Sequence, residues 1–183
     1  MKYNLLLILS IIELSFSDVF VNEKEYWDYI KQKYLTNKCT AALMGNLYDI
    51  SGLKSDRYDI AMHPIIGLTD KEYINQVESG EYSSFYFYYD GAGFGIANWS
   101  NIEDKMALYE KCTKRIGDFK CQIDFLIKQC KEKNIYKYLQ ASDDLLDCNN
   151  KIAEFVFHSR NYTVIDKRYL YAKKFYNEFV ENI

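Results

Sequence analysis

Two short stretches contain the residues whose types and spacing could support chemistry. The first, GNLYDISGL at residues 45–53, presents the carboxylate of Asp49, and the second, GAGFGIANWS at residues 91–100, directly follows Asp90. Carboxyl groups can donate and accept protons, so carboxylates that meet in one cleft are suited to general acid–base catalysis. The glycines by themselves indicate only a turn, because they lack the strand and helix of a phosphate-binding loop.

Two further carboxylates, Asp56 and Asp59, lie in the loop after the first stretch. Each of these acids also has a simpler interpretation. Asp49 fits an exposed helix end, Asp56 and Asp59 fit ordinary loop positions, and Asp90 fits a turn. The choice among them depends on which ones the fold brings together.

Hydrophobic residues at helical spacing predict helices on both sides of these stretches. The predicted helices cover residues 23–35, 39–50, 69–80, 101–114, 117–133, 141–158 and 163–181. Gly52 is suited to end the second helix, and Thr69 with Glu72 forms the pattern of a capping box at the start of the third. The aromatic run at residues 83–89 favours a short strand, and the glycines after it favour a tight turn.

The composition indicates one folded domain in a chain of 183 residues. Hydrophobic residues make up 49% of the chain, and proline and glycine are too few for a linker-rich or disordered protein. The net charge of −3 provides no basic field for nucleic acid or for an anionic membrane surface. No spacing matches a zinc site, and His63 and His158 stand alone, so we expect neither a metal nor a cofactor.

Residues 1–17 have the pattern of a secretory signal peptide. A basic residue precedes the apolar run Leu5–Ile12, and Ser15 and Ser17 occupy the small-residue positions before a cleavage site. The alternative, a membrane anchor, is disfavoured because a membrane span needs about 20 apolar residues. We therefore predict a secreted domain of residues 18–183 without a stable membrane anchor.

The 5 cysteines leave one thiol over if the others pair in an oxidising compartment. Cys121 and Cys130 are predicted to share one helix, where they are too far apart to bridge each other. Pairing of Cys112 with Cys121, or of Cys130 with Cys148, is easier to form. The alternative is that all the cysteines are buried free thiols.

Four ordered blocks of the chain resemble the phage tail lysozyme domain family. That family reads approximately G-N-L-x-A-E-S-G-L, then G-L-T-D-x-E-Y, then G-Y-G-L-A-Q-W-T, then I-G-D-L-x-x-Q-L-x-F-L. The matching stretches here are GNLYDISGL, GLTDKEY at 67–73, GFGIANWS at 93–100 and IGDFKCQIDFLIK at 116–128. The resemblance covers roughly Tyr26 to Phe179. It implies a lysozyme-like fold and muramidase-type cleavage of the glycan in peptidoglycan.

The principal departure from the family is Ile50, which stands where the family has its catalytic Glu. An apolar side chain cannot donate a proton to the glycosidic oxygen, a step that glycoside hydrolysis requires. The adjacent Asp49 points about 100° away around the helix, so it replaces the Glu only if the last helical turn rotates inward. Asp90 is the second candidate catalytic residue, because the family often has an acid near that position on the cleft wall.

The resemblance also implies substrate-binding residues in the second stretch. Asn98 stands where the family has Gln, and this shorter amide keeps both a donor and an acceptor. Trp99 is retained, either as a platform for a sugar ring or as core packing, and Gly95 belongs to the turn that lines the sugar cleft. We therefore expect the end of the helix at 40–50 to face the 90–99 turn across a groove.

These observations predict an α+β protein that is predominantly helical, a single lysozyme-like domain with a small β element. Two functional hypotheses remain. In the first, the protein acts on or binds peptidoglycan-type cell-wall glycan, by glycoside hydrolysis if it is active. In the second, it is a catalytically inactive binding or interaction protein that keeps the lysozyme fold. The expected partner is cell-wall glycan, not nucleic acid, and we expect a monomer.

Overall fold

A computed structural model describes residues 23–113 and 115–181 of the chain. The predicted signal peptide, residues 1–17, lies outside these described residues, as does its predicted cleavage site before Asp18. Helices dominate the part of the chain that the structure describes, and none of them has the length and apolarity needed to cross a membrane.

The helices follow one another with short connections. In chain order they are α1 (23–33), α2 (Asn37–Ser51), α3 (His63–Ile66), α4 (Asp70–Ser79), α5 (Ser84–Tyr89), α6 (Ile102–Cys112), α7 (Phe119–Glu132), α8 (Tyr136–Ala141), α9 (Leu145–Phe155) and α10 (Tyr162–Tyr176). A 3₁₀ helix, Ile60–Met62, precedes α3, and a π-helical turn, Asn177–Glu181, extends α10.

Local sequence signals set several helix ends, as predicted. The Thr69 side chain accepts a hydrogen bond from the backbone of Glu72, whose carboxylate accepts one in return, so a capping box begins α4. Gly52 ends α2 with a left-handed φ of 67°. The other predicted helices are present with shifted ends. The helix predicted at 141–158 begins only at Leu145, because Asp144 caps it there, and α8 was not predicted.

The strand predicted for the aromatic run is wrong, because Ser84–Tyr89 forms helix α5. Ser83 caps this helix by accepting a hydrogen bond from the backbone N–H of Tyr86. Phe87 is fully buried and meets Phe94 edge-to-face, with ring centroids 5.5 Å apart. The cap and the burial of one aromatic ring outweigh the strand preference of the aromatic residues taken singly.

β pairing among the described residues is limited to two isolated bridges, Tyr58–Phe94 and Phe94–Trp99. The first joins the loop after α2 to the glycine turn, and the second closes the turn itself. A loop tied by backbone hydrogen bonds therefore lies where a small β element was expected, and it positions the turn beside α2.

Helix α2 lies at the centre of the fold and packs against α9 and α10. Gly45 permits the close approach of α10, because a Cβ added there would lie 2.5 Å from the backbone nitrogen of Ala172. Close packing along one side of α2 fixes the direction in which its C-terminal end points.

Two disulfides tie the helices together, Cys39–Cys148 between α2 and α9 and Cys112–Cys121 between the end of α6 and α7. The predicted Cys112–Cys121 pair is confirmed. The predicted pair of Cys130 with Cys148 is wrong, because the packing of α9 on α2 places Cys148 against Cys39. Cys130 is a buried free thiol, and burial raises its pKa to about 12, which keeps it protonated and unreactive.

Candidate functional site

A cleft lies between the C-terminal end of α2 and the glycine turn at residues 93–98, and we call it the α2–turn cleft. Its volume is about 90 Å³. The lining residues are Ile50, Ser51, Arg57, Asp59, Gly95 and Asn98. The two stretches singled out in the sequence therefore face each other across a groove, as their order predicts.

Ser51 joins the two walls of this cleft. Its Oγ lies 2.8 Å from the carbonyl oxygen of Ile96 in the turn and 3.1 Å from that of Leu47 in α2. The side chain is almost fully buried, so its hydroxyl is satisfied by the protein rather than by solvent. This contact fixes the separation between the end of α2 and the turn.

Backbone hydrogen bonds hold the turn against the loop that follows α2. The N–H of Gly95 donates to the carbonyl of Arg57, and the N–H of Asp59 donates to the carbonyl of Gly93, each at 2.8 Å. Phe94 and Trp99 exchange two hydrogen bonds of 3.0 and 2.9 Å, which close the turn. Arg57 and Asp59 are therefore carried to the cleft by backbone pairing.

Gln122 on α7 supports the turn from the protein interior. Its Oε1 accepts a hydrogen bond from the N–H of Ile96 at 2.9 Å, and its Nε2 donates to the carbonyl of Ser55 at 2.7 Å. Gly95 has a φ of 72°, and a Cβ added to it would lie 2.6 Å from Gln122 Oε1. Gln122 was not among the residues selected from the sequence, although its place in the fourth matching block was a signal for it.

Asp49, the first candidate catalytic residue, contacts α10 and is not among the residues that line the cleft. Its carboxylate oxygens lie 2.8 Å from Lys167 Nζ and 3.0 Å from Arg168 Nε. Burial raises the pKa of Asp49, but the hydrogen bonds and charges of Lys167 and Arg168 outweigh burial and hold that pKa below its ordinary value. A general acid needs the opposite shift, so this geometry suits Asp49 to joining α2 and α10.

Asp90, the second candidate, is buried in a hydrogen-bonded cluster outside the cleft. Its carboxylate accepts from Lys105 Nζ and from the Tyr73 hydroxyl, both at 2.6 Å, and from the N–H of Ala92 at 2.9 Å. Burial lowers the pKa of Lys105, and the hydrogen bond to Asp90 opposes that shift. Asp90 thereby links α4 and α6 to the segment before the turn.

Asp59 is the one carboxylate among the residues that line the α2–turn cleft. Its Oδ1 accepts a hydrogen bond from the N–H of Ala61 at 2.9 Å. Its Oδ2 has no hydrogen-bond partner within the described parts of the chain. Asp56 is exposed and does not line the cleft. Of the four acids considered, the fold therefore brings Asp59 into the same cleft as Ile50.

Arg57 also lines the cleft, and it was not predicted from the sequence. The residue is half-buried. Its guanidinium makes no hydrogen bond or ion pair with any residue in 23–113 or 115–181, in contrast to that of Arg168, which is paired with Asp49. A guanidinium is a cation that presents its N–H donors in a planar fork. The cleft thus contains one cation and one carboxylate beside the apolar side chain of Ile50.

The two remaining predicted binding residues differ in exposure. Asn98 is exposed, and its side chain covers Gly93, where an added Cβ would lie 2.2 Å from Asn98 Oδ1. Trp99 is only 5% exposed and meets Phe125 edge-to-face at 5.3 Å between ring centroids. Trp99 therefore packs in the core, and its use as a sugar platform stays a prediction.

A second cavity of about 220 Å³ adjoins the α2–turn cleft at Asn98, which lines both. We call it the polar pocket, and its lining includes Asn98, Ser100, Asn101, Asp104, Gln129 and Lys133. Gln129 accepts a hydrogen bond from the Trp99 indole at 3.1 Å and donates one to Asp104 at 2.7 Å. The Asn101 amide also donates to Asp104, so this carboxylate is held in place on the pocket wall.

A helical fold with a cleft between a helix end and a glycine turn is consistent with a lysozyme-like domain. The sequence profile of the phage tail lysozyme family matches residues 21–179. The chain belongs to this family. No curated protein and no solved structure matches the chain. Membership suggests a lysozyme-like function directed at peptidoglycan, with a glycan as the ligand.

Proposed function

We propose that the protein binds peptidoglycan-type cell-wall glycan in the α2–turn cleft and the polar pocket without cleaving it. The glycan follows from the family, and the absence of cleavage follows from Ile50, which we equate with the position of the family's catalytic Glu. Ile50 lines the cleft and can donate no proton. The neighbouring Asp49, which could have replaced the Glu, is paired with Lys167 and Arg168.

Sedimentation with purified bacterial cell walls tests this proposal. The mature protein is expected to pellet with the walls and to leave the turbidity of the suspension unchanged. Ser100→Trp, which narrows the polar pocket, is expected to reduce the pelleted fraction. Asn75→Trp, at an exposed position of α4, is the matched control and is expected to pellet like the wild type. Absence of pelleting, or clearing of the suspension by the wild type, would contradict the proposal.

A second candidate function is hydrolysis with Asp59 as the acid. The observation that favours it is the position of Asp59 in the cleft with one carboxylate oxygen unoccupied by the described residues. In this case the wild type would release soluble reducing ends from cell walls, and Asp59→Asn would abolish the release by removing the proton donor.

Secretion as a monomer is part of the proposal. Secretion is supported by the signal-peptide pattern of residues 1–17 and by the two disulfides, which are typical of oxidising compartments. Mass spectrometry of the secreted protein should find a start near Asp18, and a start that retains Leu5–Ile12 would argue against it. We also equate the two bridges at Phe94 with the small β element expected for the family.

A further inference from the structure

The α2–turn cleft is small for a sugar-binding site. Its volume of about 90 Å³ compares with about 300 to 1,000 Å³ for typical ligand pockets. A cavity of this size suits a side group of a sugar and not the ring itself. The polar pocket is larger, at about 220 Å³, and shares Asn98 with the cleft. One ligand can therefore place its ring in the pocket and a substituent in the cleft.

The donors in the cleft suit a carboxylate substituent. Arg57 is half-buried and its guanidinium has no acceptor in the parts of the chain that the structure describes. A guanidinium offers a planar fork of N–H donors that matches the two oxygens of a carboxylate, and such charge-assisted bonds are about twice as strong as neutral ones. Partial burial also reduces the screening of this interaction by salt.

Two of the other side chains that line the cleft limit what else can bind there. Ile50 offers only apolar contact, and Asp59 offers an acceptor. Asp59 repels an anion bound to Arg57, so its charge weakens the binding of a carboxylate instead of strengthening it. The two charged residues of the cleft therefore predict opposite effects of their removal on anion binding.

The polar pocket has the acceptors and donors that a sugar ring needs. Asp104 is fixed by Gln129 and Asn101 and presents acceptor oxygens. Lys133 lines the same pocket, and its Nζ donates to His158 Nε2 at 3.0 Å. Walls that combine fixed acceptors with donors suit a ligand rich in hydroxyl and amide groups.

We infer that this site selects glycans that carry a carboxylate, with the sugar ring in the polar pocket and the carboxylate on Arg57. This inference rests on the proposed function and specifies its ligand class. The carboxylate can come from the lactyl group of a muramic acid or from a peptide attached to that group. The lactyl carboxylate lies on a short arm next to the ring, whereas a peptide carboxylate lies farther out, beyond the amide that joins the peptide to the lactyl group.

Calorimetric titration of the full mature protein with three ligands tests the inference. The ligands are a neutral chitooligosaccharide, a muramic-acid glycan stripped of its peptides, and the same glycan with its peptides. We expect at least one anionic glycan to bind about tenfold more tightly than the chitooligosaccharide. Tighter binding of the stripped glycan assigns the carboxylate to the lactyl group, and tighter binding of the peptide-bearing glycan assigns it to the peptide.

Variants of the cleft charges make the test specific. Arg57→Gln should weaken the binding of the anionic glycan much more than that of the chitooligosaccharide, and so remove the advantage of the anionic glycan. Arg57→Lys should restore part of that advantage, and Asp59→Asn should increase it. Arg115→Gln removes an exposed cation outside the cleft and is the matched control. Circular dichroism and thermal unfolding establish that each variant is folded.

The outcomes separate this inference from the function on which it rests. If neutral and anionic glycans bind equally, or Arg57→Gln weakens both to the same degree, the carboxylate selectivity is wrong while glycan binding stands. If none of the three ligands and no cell wall binds, the proposed function fails and the inference fails with it.

Discussion

Single side chains decide what the α2–turn cleft can do. Ile50 supplies no proton, Arg57 supplies a fixed positive charge, and Asp59 supplies one carboxylate. A carboxyl group introduced at position 50 would experience two opposing effects on its pKa. The C-terminal end of α2 would raise that pKa, whereas the nearby guanidinium would lower it. Introducing a general acid at position 50 therefore depends on the cation of Arg57 as well as on the new carboxyl group.

The first prediction is that Ile50→Glu introduces glycan hydrolysis. Because Arg57 favours the ionised form of the new Glu, the double variant with Arg57→Gln should be the more active of the two at a saturating concentration of cell walls, although it binds carboxylate-bearing glycans more weakly. We expect clearing about a hundredfold or more faster than the uncatalysed background, the usual contribution of a positioned general acid. The measurement is the clearing of a cell-wall suspension.

Ile50→Gln is the control for this prediction. Glutamine is similar in size to glutamate, but it cannot act as an acid and donate a proton to the glycosidic oxygen. Equal clearing by the Gln and Glu variants would show that the new side chain does not act as a proton donor. An inactive but folded double variant would show that the cleft has diverged in more than its acid.

The second prediction concerns the ion pairs of Asp49. Asp49→Asn leaves Arg168, whose side chain is 9% exposed, without its charged partner, and should lower the free energy of unfolding at neutral pH by about 1–3 kcal/mol. The pKa of Asp49 is held below its ordinary value. Its stabilising contribution is therefore present above about pH 4 and is lost as the pH falls through the lower folded-state pKa.

Urea unfolding of the wild type and Asp49→Asn at neutral and acidic pH measures this contribution. The difference between the two proteins should shrink towards low pH. Asp56→Asn is the control, because Asp56 is exposed and makes no ion pair with the described residues. A difference that stays constant with pH would mean that the charge of Asp49 does not contribute.

At the level of secondary-structure elements, the glycine turn depends on the absence of a side chain at Gly95. Gly52 and Gly95 both have a left-handed φ, of 67° and 72°, but only a Cβ at Gly95 meets another residue within 3 Å. We predict that Gly52→Ala costs about 1 kcal/mol of stability, from backbone strain alone. Gly95→Ala should cost about 1–3 kcal/mol more, because it also displaces the buried Gln122 from its hydrogen bonds.

Thermal unfolding and glycan binding together test this prediction. Gly95→Ala should weaken binding, since the turn that it displaces forms one wall of the cleft, whereas Gly52→Ala should leave binding unchanged. Similar losses of stability in both variants would show that Gln122 does not constrain the turn.

The elements also show what the sequence could predict and what it could not. The start of α4 and the end of α2 were predicted, because a capping box and a terminal glycine act within one helical turn. Helix α5 was not predicted, because the conformation of this segment depended on the burial of Phe87 against Phe94, a contact between separate segments. Local sequence signals therefore predict an element only where a local interaction determines its conformation.

The same distinction applies to the candidate site. The two motifs and their order predicted a groove, and the structure has the α2–turn cleft between them. Arg57 and Asp59 reach that cleft through backbone pairing with Gly95 and Gly93, which no spacing along the chain reveals. Asp49, chosen because it is adjacent to Ile50, and Asp90, chosen because the family often has an acid near that position, make their contacts elsewhere.

For the whole molecule, the two disulfides close loops of very different length. Cys39 and Cys148 are 109 residues apart in the chain, whereas Cys112 and Cys121 are 9 apart. In the chain-entropy description, closing the long loop stabilises the fold by about 5 kcal/mol and closing the short one by about 3 kcal/mol. We therefore predict that the Cys39→Ala/Cys148→Ala variant unfolds at a lower denaturant concentration than the Cys112→Ala/Cys121→Ala variant.

Cys130→Ala is the control for this comparison, because Cys130 forms no disulfide. The stability lost in Cys130→Ala should reflect only a small cavity in the core. Equal destabilisation by the two double variants would indicate that residual structure in the unfolded chain, and not loop length, determines the effect.

The position of Trp99 gives the protein a built-in optical reporter. The chain has 2 tryptophans. Trp27 stacks on Phe179, away from the site, whereas Trp99 borders the polar pocket and donates its indole N–H to Gln129. In a Trp27→Phe variant, tryptophan emission would come from Trp99 alone. A ligand that enters the pocket and changes the polarity around this indole would shift its emission maximum, so occupancy could be followed by fluorescence without any attached dye.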